Sequence, residues 1–167
     1  MVTKPKSDKD KLKVKLLELL AGIDFPKKYY EYYKKVCNHN QPNDLDEEDY
    51  AAAFKNCLVD VSYNKKESFF THKETIGTSK LNLKLAFHYS TLELILEFET
   101  KHGYIGGVFP GLAMDAAKLN DRKFSYSPSY PKFPFSNMEE LEDAIKFSFS
   151  LFEEIKQAIQ SYNMWND

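Results

Sequence analysis

At 167 residues, with 43% apolar and 29% charged residues, the chain has the size and balance of one globular domain and is too apolar for intrinsic disorder. Its net charge of −2 is nearly neutral, and Arg122 is the single arginine among 23 basic residues, which argues against specific nucleic-acid recognition, where the forked guanidinium is preferred. Two cysteines make neither a disulfide framework nor a zinc site, and no apolar run approaches the ~18 residues that cross a bilayer. Residues 1–15 are lysine-rich without the apolar core of a secretory signal, so the chain reads as cytoplasmic, with free thiols and no cofactor.

Charge is unevenly spread. Residues 1–36 hold ten lysines against five acids, a balance of +5, and the remainder carries −7. Residues 1–6 read as a disordered basic tail ahead of a single domain. Ser7 caps a helix running to about residue 20, with Asp8 and Asp10 in its first turn and Gly22 as its stop. A second helix opens at Asp24-Phe25-Pro26, with proline where a missing N–H costs little, and runs to Val36. Asp44-Leu45-Asp46-Glu47 has the form of a capping box for a third helix over 46–58, burying Tyr50, Ala53, Phe54, Cys57 and Leu58.

The hydrophobic period then changes from helical to alternating. Leu81, Leu83, Leu85, Phe87 and Tyr89 form one strand face, and Leu92, Leu94, Leu96 and Phe98 another. A loop at Ser90-Thr91, or a four-residue loop with the same register since Ser-Thr is a poor two-residue turn, sets Tyr89 against Leu92, Phe87 against Leu94 and Leu85 against Leu96, a register in which paired numbers add to 181. The same register sets Lys84 against Glu97 and His88 against Glu93 on the other face. Strands at 68–76 and 104–109 complete a four-stranded antiparallel meander. A short helix at 112–119, a Pro- and aromatic-rich connection at 120–136, and a long helix from the Ser136-Asn137-Met138-Glu139 box to Tyr162 follow. The expected class is α+β, the meander covered by N-terminal helices and the long C-terminal one.

Candidate chemistry is sparse. Gly103, Gly106, Gly107 and Gly111 precede a helix that lacks the lysine and hydroxyl of a phosphate loop, so they read as turn geometry. His72, Glu74 and His88 would make a small-molecule enzyme only if they converged in a cleft of the sheet. Tyr30 and Tyr32 broaden the second helix beyond a core stripe, the surface a structural adaptor would use. Two surfaces suit protein contact better. The acids Asp44, Asp46, Glu47, Glu48 and Asp49 exceed what helix capping needs and make a field able to steer a basic partner. The stiffened 120–136 loop offers Tyr126, Tyr130 and Phe133 as anchors, unless its rings lie down and seal the core.

In general form (the compact α+β chain, the 81–98 meander, the terminal helix after an aromatic loop) the sequence resembles the immunity proteins of bacterial toxin–immunity systems, including those of contact-dependent growth inhibition. That resemblance implies a non-catalytic, stoichiometric inhibitor of a cognate protein toxin. A basic toxin domain would suit the acidic patch, and no functional residue carries over from the family.

Overall fold

The computed structural model describes Lys4 and residues 6–162; of the expected tail, residues 1–3 and 5 lie outside the described residues. The chain folds into α1 (Asp8–Gly22), α2 (Phe25–Val36), α3 (Glu47–Asn56), β1 (Ser62–Asn64), β2 (Phe69–Ile76), β3 (Ser79–His88), β4 (Thr91–Thr100), β5 (Gly103–Val108), α4 (Phe109–Asn120), β6 (Phe133–Pro134) and α5 (Met138–Tyr162). The sheet is antiparallel, in the order β1-β2-β3-β4-β5, with β6 added on β4. This is an α+β fold whose meander is one strand longer than the four expected, gaining β1, while β6 joins the sheet from outside the meander.

Helix starts follow local hydrogen bonding. Ser7 and Asp10 form a reciprocal capping box on α1. Gly22 is the last helical residue rather than the stop; the left-handed turn falls two residues later on Asp24, at φ 56°, an aspartate tolerating it better than most side chains. The α3 box sits two residues beyond its expected place, with Asp46 as cap and Asp49 reaching back. On α5 the cap is Asn137, whose Oδ1 accepts from the Glu140 N–H at 2.9 Å, while the Glu140 carboxylate accepts from the Ser136 N–H at 3.0 Å.

The β3–β4 hairpin corrects the expected register. Leu85 faces Leu94 and Phe87 faces Leu92, so paired numbers add to 179 instead of 181. The loop is Tyr89-Ser90, both left-handed at φ 48° and 65°, as a type I′ turn requires; that turn matches the twist of the flanking strands. A shift of two residues leaves every side chain on its expected face, so the apolar rows still meet. Tyr89 is the exception. It leaves the buried row for the tip, where it is fully exposed. The expected charge pairs form diagonally across the shifted ladder, Lys84 with Glu97 at 2.8 Å and His88 with Glu93 at 3.2 Å.

The inner face joins Leu81, Leu83 and Leu85 to Leu92, Leu94, Leu96 and Phe98, all buried. Leu12, Leu16 and Leu20 of α1, Phe25 and Tyr29 of α2, and Leu141, Ile145, Phe152 and Ile159 of α5 complete one continuous core with them. β5 approaches β4 so closely that a Cβ on Gly106 would lie 2.2 Å from the Leu96 carbonyl oxygen, and φ there is +131°. Glycine is therefore required at that point by contact as well as by conformation.

Leu58 was expected in the core but is 92% exposed. It occupies the left-handed position after α3 at φ 57°, with its N–H on the Lys55 carbonyl and the Val59 N–H on that of Phe54. This is a Schellman ending in which glycine is the usual residue. Leu58→Gly is expected to raise unfolding free energy by about 1 kcal/mol in urea melts, since a left-handed leucine costs that much. Gly106→Ala is expected to lower it by about 3 kcal/mol or more in the same assay, the contact with the Leu96 oxygen adding to the strain.

Candidate functional site

α2 carries Tyr29, Tyr30, Tyr32 and Tyr33 in five positions, so rings project around much of the helix. Each finds an aromatic neighbour. Tyr29 meets Phe133 at 4.9 Å between ring centroids, and its hydroxyl donates to the Pro131 carbonyl. Tyr32 stacks on Phe147 at 3.9 Å. Tyr30 stacks on Tyr126 at 4.1 Å and lies beside Phe124 at 5.6 Å. Tyr33 meets the edge of Tyr126. The 120–136 connection thus lies down along α2.

The three expected loop anchors part company here. Tyr126 is half-buried against α2, and Tyr130 stays 64% exposed. Phe133 is fully buried and offers no surface to a partner. The reason is pairing: Phe133 is opposite Leu92 in the ladder, and cross-strand partners share a face, here the inner one. Tyr30 and Tyr32 are also buried, which removes the surface expected for an adaptor.

The acids sit past the other end of α2. Asp46 and Asp49 are used in the α3 cap, and Glu47 lies beside the Tyr63 hydroxyl. Asp44 and Glu48 are exposed and make no ion pair or hydrogen bond among the described residues. Asn43 pins this segment to β6: its amide donates to the Phe135 carbonyl at 2.8 Å and its Oδ1 accepts from the Leu45 N–H at 3.0 Å. The Phe135 N–H in turn bonds the Ser90 carbonyl at 3.1 Å. Two hydrogen bonds therefore bring the acidic segment and the exposed Tyr89 tip to the same end of the molecule. Sequence reading missed Tyr89, because alternation assigned it to the buried row.

The histidines do not build one site. By the ladder, His72 and Glu74 share the inner face with Leu83 and Leu81, whereas His88 lies on the outer face. His72 packs against Phe149 and Phe152 of α5 and contacts the Asp60 carbonyl at 2.6 Å and Glu74 at 3.0 Å. Burial pushes the Glu74 carboxyl up, but hydrogen bonds from His72 and Lys156 outweigh it and leave it below its ordinary value. The group ties β2 to α5. Burial raises the Cys57 thiol, with Glu142 adding to the effect, the opposite of what a nucleophile needs. Among the described residues, no three or more His, Cys, Asp or Glu cluster as metal ligands, and no helix is long and apolar enough to cross a membrane.

A cavity of about 410 Å³ opens between the end of α1, the start of α2, α4 and the aromatic loop. Its lining includes Ala21, Ala116 and Ala117 together with Tyr30, Phe124 and Tyr126. Tyr30 is only 7% exposed, and its hydroxyl has no hydrogen-bond partner among the described residues. Burial, with Tyr126 and Asp115 nearby, pushes its ionisation up to about 12. The alanines that make the space carry no chemical signal, so nothing in the sequence marks it.

Comparison with protein-family models, curated proteins and solved structures returns no match.

Burial also raises Tyr29 and Tyr32. A raised folded-state value favours the neutral phenol, so this stabilisation is complete below the unfolded value near pH ~10 and is lost as pH climbs through the folded values. In an alkaline titration followed at about 295 nm, these three of the eleven tyrosines are expected to ionise together with loss of circular dichroism. Ionisation of all eleven with structure intact contradicts it.

Proposed function

We propose that this chain is a non-catalytic protein-binding module of the immunity type, which neutralises a cognate bacterial toxin in the cytoplasm by one-to-one binding. The observation that carries this reading is the end of the molecule where Tyr89, fully exposed on a left-handed backbone, stands near the unpaired acids Asp44 and Glu48. An exposed tyrosine is a favoured interface anchor, able to bury a large ring at small entropic cost. The acids supply a field that speeds encounter with a basic surface. A basic nuclease toxin is the partner this combination suits.

The rival reading, a small-molecule enzyme, draws no support from the geometry. Its residues are divided between the two faces of the sheet, with His72 and Glu74 engaged in holding α5.

The decisive probe is a toxin domain encoded beside this gene in its native genome. Co-expression is expected to relieve growth arrest, and the purified pair to elute as a 1:1 complex; unrelieved arrest overturns the reading. With that toxin, Asp44→Lys/Glu48→Lys is expected to slow association about tenfold at low salt and to flatten its salt dependence. Tyr89→Asn keeps a residue at ease in the left-handed turn while removing the ring; it is expected to cost about 2 kcal/mol of affinity with no loss of melting temperature. Unchanged rates in both variants would move the interface elsewhere.

A further inference from the structure

We propose that the recess between the first half of α1 and the glycine pair of β5 binds a free mononucleotide, its phosphate held by Lys9 and Lys13 and its base against Tyr104.

The cations point to phosphate. Lys9 and Lys13 are four residues apart on α1, hence on one face of the helix, and both line a recess of about 330 Å³. Lys9 lies along β5: its Cδ, Cε and Nζ are 3.9, 4.0 and 3.8 Å from where a Cβ on Gly103 would stand. Neither ammonium has an ion-pair partner among the described residues, whereas Lys11, outside the recess, pairs with Asp8 at 3.7 Å. Asp10 acts on Lys13 only at a distance, its carboxylate being held by Ser7 at 2.7 Å. Like charges at that helical spacing repel and weaken the helix. The acid of the recess, Glu97, is already held by Lys84 at 2.8 Å and does not relieve them. A phosphate monoester, with roughly two negative charges at neutral pH, does.

The ring points to a base. Tyr104 lines the same recess, is 54% exposed, and makes no ring contact or hydrogen bond among the described residues. A free aromatic face beside cations is a stacking platform for any base. Gly106 and Gly107 also line the recess and leave that stretch of β5 without side chains; a Cβ on Gly107 would meet nothing within 4 Å. The opening therefore reaches backbone depth, and its volume, at the lower end of small-ligand pockets, suits one nucleotide and not a larger cofactor.

Tyr104 also lines a second concavity on the outer face of the sheet, whose lining counts three lysines against four glutamates. A further phosphate would find no net positive charge there, so the ligand is a single nucleotide and not a length of nucleic acid. The recess shares no residue with the Tyr89 end and is independent of the toxin reading.

The test uses the full chain at low salt with AMP, adenosine, inorganic phosphate and a 5′-phosphorylated tetra-adenylate, followed by calorimetry and by the amide shifts of Gly106 and Gly107. AMP is expected to bind saturably below about 1 mM, with adenosine and phosphate each about tenfold weaker. Lys9→Gln/Lys13→Gln is expected to bring AMP down to the level of adenosine with no loss of melting temperature, because it removes a repelling pair; Lys11→Gln is expected to leave AMP affinity unchanged. Tyr104→Leu, at an exposed position, is expected to bring AMP down to the level of phosphate while the chain stays folded. No saturable AMP binding up to about 1 mM overturns the proposal. So does AMP affinity that survives Lys9→Gln/Lys13→Gln or Tyr104→Leu. Tetra-adenylate binding no tighter than AMP supports the free nucleotide, and tighter binding overturns it.

Discussion

One edge of β4 has to be satisfied twice. β5 pairs only with Ile95–Thr100, because the chain leaves the sheet at Val108 to begin α4. The backbone of Thr91 and Leu92 would otherwise face the interior unpaired, at a cost comparable to a lost hydrogen bond per group. β6 fills that gap with two residues, Phe133 and Pro134. That short pairing turns Phe133 inward and draws Phe135 beside it into the core. It also fixes Pro131, whose carbonyl takes the Tyr29 hydroxyl, while Phe124 and Tyr126 rest on Tyr30 of α2. The aromatic wall, the cavity beside it and the tie from β6 to Asn43 all follow from those two ladder positions.

The same arrangement sets the balance at α2. Burying several tyrosines on one helix gains much apolar area, but each carries a hydroxyl that water would otherwise satisfy. Tyr29 recovers its hydrogen bond from the loop. Tyr30 and Tyr32 do not, and their rings are held by stacking on Tyr126 and Phe147 instead. The contrast separates residues whose position the core demands from those it tolerates. At the surface the tolerance takes another form. Leu58 and Tyr89 occupy left-handed positions where glycine or asparagine is more comfortable, and neither side chain is buried in return. Both are held there by the backbone of their turns, the Schellman ending of α3 and the β3–β4 hairpin, and not by packing of the side chain.

Polar groups under α5 show how a sheet face can be mixed without failing. His72 and Glu74 fall on the inner side of β2 beside Leu83 and Leu81, yet both are hydrogen-bonded. Lys156 bridges Glu74 to Glu153, and Phe149 and Phe152 cover the imidazole. The group lies toward β1, where the sheet narrows and water still reaches, so its charges are only partly desolvated and the penalty of burying them stays small.

Alternation with period two was enough to place residues 81–98 in two strands and to assign their faces, and three of the helices announced themselves through Ser7 and the boxes opening at Asp44 and Ser136, within two residues of the true caps Ser7, Asp46 and Asn137. These are local properties: a side chain's face depends on parity along its own strand, and a cap depends on atoms three residues away. Register escaped, because a slip of two preserves parity and only the turn tells 179 from 181. β6 escaped because two residues have no period. The burial of Phe133, the placement of His72 and Glu74 beneath α5, the exposure of Tyr89 and the alanine-walled cavity were decided by which distant segment packs against which. That depends on unpaired backbone edges and on volumes, and neither leaves a repeating trace in the order of the amino acids.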